Sequence, residues 1–168
     1  ILTFLDPYTD PRGAGYNALQ SMIAVGSGGI FGRGVGYGVQ SRLEFLPEHE
    51  TDFIFAACAE EWGLVGGSVL FLFFGLLFWR ILKIASRGES NFEKLFGIGI
   101  FIMILSHFAI HVGMNLALLP VTGISLPFMS YGGSHTITLL FGIGVLMGMM
   151  RYGREAAGAS KEGDLTLI

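Results

Sequence analysis

From Leu95 to Met150 the chain contains no Asp, Glu, Lys or Arg. Soluble domains carry about 25% charged residues, so an uncharged interval of this length calls for hydrocarbon as solvent. A membrane-crossing helix needs ~20 apolar residues; the interval is too long for one crossing and right for two. The two spans are expected at 95–119 and 134–150, joined by PVTGISLPFMSYGG. That joining loop, 120–133, is apolar but broken by Pro120, Gly123, Pro127 and the Gly132-Gly133 pair. Irregular backbone is tolerated at membrane depth only where protein buries it, so the loop should fold back into the molecule in a re-entrant manner. With 52% hydrophobic and 14% charged residues overall, the chain reads as an all-α integral membrane protein, a polytopic helical bundle.

A further span precedes these two. WGLVGGSVLFLFFGLLFW carries no charge before Arg80, and the periodic pattern runs from Asp52 to about Lys83. As one helix, 52–82 would measure roughly 46 Å at 1.5 Å per residue, well over the ~30 Å of hydrocarbon. Its first turns, with Asp52, Glu60 and Glu61, should therefore project into the interface or sit within protein. At 100° per residue Ala56, Ala59, Gly63 and Gly66 fall within about 40° of Asp52. Small residues in such a stripe let another helix approach closely, so Asp52 should top a face packed on protein.

Residues 1–51 form a large Gly-rich polar loop. Asp6-Pro7 and Asp10-Pro11 are turn signals, and 17–25 suits a short helix with one apolar face. GSGGIFGRGVGYG contains neither a complete GxGxxG nor GxxxxGK[ST]; it reads as turns needing positive φ rather than a phosphate cradle. Ile1–Leu5 resembles the last turn of a membrane helix, as if the chain continued a longer protein. Residues 84–94 form a short connection, and 153–168 read as a disordered tail.

Seven of the ten Lys/Arg lie in 80–94 and after Met150, segments that the positive-inside rule assigns to the cytoplasm. The loops 1–51 and 120–133, and Asp52 with them, then share the outer face. A net charge of −3 gives no footprint for nucleic acid, and the single Cys58 excludes an intrachain disulfide. His107 and His111 are one helical turn apart, as metal-binding pairs can be, but HFAIH lacks a zincin glutamate; hydrogen bonding to a neighbouring helix is the commoner role. His49 reads as solvated, and His135 as packing at a helix start.

Asp52 admits two readings. Thr51 and Asp52 both favour a helix N-terminus, and position alone favours a cap facing the positive end of the dipole. The other reading is a carboxylate held at the water–lipid boundary.

Three long stretches decide between them. DPYTDPRGAGYNALQSMIAVGSGGIFGRG, QSRLEFLPEHETDFIFAACAEEWGLVGG and GMNLALLPVTGISLPFMSYGGS strongly resemble, in order, the C-terminal half of the SEDS family, the RodA, FtsW and SpoVE proteins of bacterial shape, division and sporulation. The likeness covers residues 1 to about 152. GVQS before Arg42, and LEFLPE, look more like RodA than FtsW. The resemblance implies a fold of about ten helices in the bacterial cytoplasmic membrane, of which this chain would hold three and the large outer loop. It implies polymerisation of lipid II into glycan strands beside a class B penicillin-binding protein. It makes Asp52, the aspartate of the LPExHTDFIF motif, the catalytic carboxylate. Arg33, Arg42, Glu48 and Ser130 become the expected substrate-binding residues.

The chain departs from the family pattern at Glu50, where a histidine is usual, at His107 and His111, where amides are usual, and at Ser125 in GISLPF. A general base would take the acceptor hydroxyl proton, while cations, Mg or Mn among them, could neutralise the departing pyrophosphate; no organic cofactor is expected. Two rival readings are a lipid II transporter and a non-catalytic scaffold. Asp52→Asn would leave a scaffold intact but not a polymerase.

Overall fold

The computed structural model describes residues 14–38 and 51–165. Four helices are found there: α1 (Ala14–Ser27), α2 (Ile54–Ala85), α3 (Asn91–Asn115) and α4 (Gly133–Leu165). No strand occurs among the described residues. Helices α2 and α3 have mean hydropathies of 2.0 and 2.1 over their most apolar windows, of which only 17% and 33% are buried. Helices this apolar that turn most side chains outward need lipid around them. The apolar part of α4, Gly133–Met149, is shorter.

α4 does not stop at the end of its apolar part. The tail expected to be disordered from residue 153 continues as helix to Leu165. Its REAAGASKE sequence is rich in strong helix formers, and lengthening an existing helix needs no new nucleus.

The helices contribute to two compact units. The described residues of the first lie within Ile1–Phe74 and Ser106–Gly133. At its centre Phe53, Ala56 of α2 and Ala24 of α1 are buried together, with Val25 and Val121 packed against them. Ala56 and Ala59 of the small-residue stripe are buried as expected, against α1 and the loop after it. A row of rings, Phe55–Phe71–Phe108–Phe74, continues the packing with centroids 6.1, 5.2 and 4.3 Å apart. In the second unit, within Gly75–Leu105 and Ser134–Ile168, Gly97 meets Ala85 and Leu146, Gly142 meets Ile100, and Phe78 stands edge-on to Phe101 at 5.6 Å.

α2 differs from the single uninterrupted helix that its apolar sequence suggests. It is broken at Gly63, whose φ of 66° and ψ of −160° belong to a region essentially reserved for glycine. The Gly-rich loop after α1 fills the break. Arg33 N and Gly34 N donate to the Glu60 and Glu61 carbonyls, which end the first segment. Leu64 N and Val65 N, which start the second, donate to the Gly29 and Ile30 carbonyls. Orphan groups on both sides of the break are thus paired by one loop. Gly29, Gly32, Gly34 and Gly36 all take positive φ, as expected of turns. Gly28 and Gly32 also let the loop touch α2 backbone: a Cβ would overlap the Ala59 carbonyl at one and the Glu61 carbonyl at the other.

Candidate active site around Asp52

Thr51, Asp52 and Phe53 form a turn that leads into α2. Phe53 anchors it, only 2% exposed in the core, which leaves Asp52 half-buried on the adjacent side. Two polar side chains grip the backbone of this turn. Ser130 Oγ donates to the Thr51 carbonyl at 2.7 Å and accepts from Leu126 N at 2.8 Å. Asn115 Nδ2 donates to the Asp52 carbonyl at 3.0 Å and to the His111 carbonyl at 2.8 Å. Asn115 Oδ1 accepts from Ala56 N at 3.1 Å, in the first turn of α2. The Asn115 carbonyl in turn accepts from Ser21 Oγ of α1 at 2.6 Å.

The cap on the Ala56 N–H therefore comes from Asn115 on α3. Sequence position had suggested Asp52 for such work. Asp52 Oδ2 lies beside the 120–133 loop, where an added Cβ at Gly123 would stand 3.4 Å from it. Gly123 has φ of 70°, so the loop presents bare backbone to the carboxylate. The loop is held from below by His111, whose Nδ1 donates to the Ile124 carbonyl at 2.8 Å. That bond leaves Nε2 buried with no partner among the described residues. Leu126 and Ser130 are buried and Tyr131 is 83% exposed, so the loop folds back at its centre and emerges near its end.

Of the residues singled out from sequence, Asp52 and Ser130 come together. Arg33 does not join them. It is exposed on the Gly-rich loop, its Nε donates to the Ser27 carbonyl at 3.2 Å, and its N bonds Glu60, about two turns along α2 from Asp52. A cation over the C-terminal carbonyls of α1 is a favourable end for that helix. Glu61 Oε1 accepts from Gly36 N at 2.9 Å, organising the same loop. Arg42, Glu48, His49 and Glu50 lie outside the described residues. The residue that sequence reading missed is Asn115. Its signal was present: an amide one turn after His111 in the apolar part of a membrane helix, where such residues find partners on other elements. The same chemistry was sought two turns and one turn earlier, at His107 and His111, and His111 does bond another element through the Ile124 carbonyl.

This arrangement holds a carboxylate at the mouth of a membrane helix by its backbone. Its side chain faces a glycine-lined loop, and the geometry suits proton transfer to or from a group bound there.

The chain was compared with known proteins. The family model for FtsW/RodA/SpoVE cell cycle proteins matches residues 1–155. The chain is 47% identical over 147 residues to the peptidoglycan glycosyltransferase MrdB of Escherichia coli strain K12, covering 88% of this chain and 40% of that protein. It is 45% identical over 156 residues to the stage V sporulation protein E of Bacillus subtilis, covering 92% and 42%. Against the peptidoglycan glycosyltransferase RodA of Treponema pallidum it is 46% identical over 147 residues, covering 88% and 34%. A chain of a solved peptidoglycan synthase complex, one described as coordinating polymerization and crosslinking, superposes with a TM-score of 0.69 at 33% identity, covering 89% of this chain and 40% of that one. The chain thus spans about two fifths of the length of these proteins. It belongs to the FtsW/RodA/SpoVE family of cell cycle proteins.

Proposed function

We propose that this chain is the carboxylate-bearing part of a peptidoglycan glycosyltransferase that polymerises lipid II into glycan strands, with Asp52 as general base. The reading is supported by the names of its relatives, and one observation carries the chemistry. Asp52 is half-buried at the start of a membrane helix, its backbone gripped by Ser130 and Asn115 and its carboxylate beside Gly123. In the reaction, the carboxylate takes the proton of an acceptor sugar hydroxyl. The hydroxyl oxygen attacks the anomeric carbon of the donor, the C–O bond to pyrophosphate breaks, and the pyrophosphate leaves with that electron pair. Proton transfer of this kind contributes typically ~10²–10⁴-fold.

Among the described residues no three His, Cys, Asp or Glu side chains gather to hold a metal ion. The described residues do not fit a cation site alone, and no step here runs through one. The gathering of seven of ten basic residues in 80–94 and after Met150 supports a site on the outer face. Likeness to a complex that couples polymerization with crosslinking supports a transpeptidase partner of the class B penicillin-binding type.

The test is Asp52→Asn in the full-length protein. With Ala56 N capped by Asn115, and Asn as good a cap as Asp in any case, folding should be unchanged. Glycan formation from purified lipid II, with partner present and its transpeptidase blocked, should fall ~10²-fold or more. A near wild-type rate would refute the general-base reading.

A further inference from the structure

We infer that Asn115 is the positioning residue for Asp52: its carboxamide fixes where the carboxylate stands. The inference rests on Asp52 acting as the base. Asn115 is fully buried and uses both amide hydrogens and its carbonyl oxygen. Two of those three bonds go to the segment bearing Asp52, one to its own carbonyl and one to the Ala56 N–H four residues on. A peptide held at both points cannot rotate about its entry to α2, so the Asp52 Cα, and the short side chain on it, has one location.

The other wall of the gap is set by the same helix. His111, one turn before Asn115, holds the Ile124 carbonyl, and with it Gly123, whose added Cβ would stand 3.4 Å from Asp52 Oδ2. Two side chains spaced i, i+4 on α3 lie on one face. They therefore fix the Asp52 segment and the Gly123 loop to one rigid rod. A helix-to-helix bond serving only stability would not need to end on the backbone of the reacting residue.

Losing the carboxamide frees the Asp52 peptide while leaving the carboxylate itself intact. A displacement of about 1 Å in a reacting group can cost on the order of 10²-fold in rate. Substrate contacts are untouched, so the loss should fall on kcat. The full-length protein with its partner is assayed for glycan formation from lipid II as Asn115→Ala and Asn115→Ser, beside Asp52→Asn and Asp52→Glu. Serine is the safer variant, because its hydroxyl can bond the His111 carbonyl one turn back yet is too short to reach the Asp52 carbonyl. The expected result is a kcat lowered roughly 10- to 100-fold with KM within about twofold. In the Asp52→Glu background, where the carboxylate is already displaced, Asn115→Ser should cost less than in the wild type.

If Asp52→Asn abolishes activity while a folded Asn115→Ser keeps its kcat, Asn115 is structural only and the positioning inference fails alone. A loss from Asn115→Ser that is equally large in the Asp52→Glu background overturns it too. If Asp52→Asn polymerises normally, the base reading and this inference fall together.

Discussion

Each of the two units has its own apolar packing, but the described hydrogen bonds between distant segments gather in the one that carries Asp52. Around Asp52, buried hydroxyl, amide and imidazole groups bond the backbone of distant segments: Ser130 with Thr51, Asn115 with Asp52 and Ala56, His111 with Ile124. In the unit of Gly75–Leu105 and Ser134–Ile168, the described contacts between helices include apolar side chains meeting glycines, with Gly97 against Ala85 and Leu146. The contrast has a physical source. Apolar packing tolerates small slides, because dispersion is non-directional and each contact is weak. Hydrogen bonds to a peptide group are directional and fix it within a few tenths of an ångström. The unit carrying the carboxylate adds the rigid device to its apolar core.

Glycine substitutions break this comparison most sharply. Gly63→Ala should have the largest effect. It strains a φ/ψ region costing about 1–3 kcal/mol and drives a Cβ into Ile30 and Gly32 backbone, which has no rotamer to yield. Loss of several kcal/mol is expected, read as a collapsed melting temperature or absent folded protein in detergent. Gly97→Val in the other unit should cost about 1–3 kcal/mol by overpacking, because its Cβ would stand 2.6 Å from the Ala85 Cβ. Thermal melting would show whether that seam relaxes as apolar packing should.

Ser130→Ala sharpens the contrast from the polar side. It leaves the Thr51 carbonyl and Leu126 N–H without their bonds, at about 1–3 kcal/mol, and the loss should appear in polymerisation rate as well as in melting. A fall in stability with an unchanged rate would separate Ser130 from the site. Gly99→Ala should be smallest and of opposite sign. Nothing lies within 4 Å of its added Cβ, and exchanging glycine for alanine inside a helix gains about 0.5–1 kcal/mol. A lower melting temperature for this variant would mean that another surface needs the bare helix face.

These residues also show how far reading the chain alone could go. The burial of Ala56 and Ala59 followed from spacing, while Ser130, which reaches the Asp52 turn, was marked only through the family resemblance. The break at Gly63 did not. Gly63, Gly66, Gly67 and Gly75 all sit in the same apolar run, and nothing local marks the one that leaves the helix. It breaks because Gly29, Ile30, Arg33 and Gly34 supply partners for the freed groups. Arg33 was drawn toward substrate by its charge, yet the fold gives it the end of α1.

The solvent in which this chain folds was settled by its sequence, since hydropathy is a sum over neighbours and needs no knowledge of contacts. So were its helices and its turns rich in glycine. Which polar group grips which peptide was settled only by tertiary structure. The bonds that decide it join residues 59, 79 and 94 positions apart, and a hydrogen bond at that separation exists only once packing has brought both ends within 3 Å of each other. Asp52 could be marked from its neighbours in the chain; the peptides that Asn115 grips could be found only from its neighbours in space.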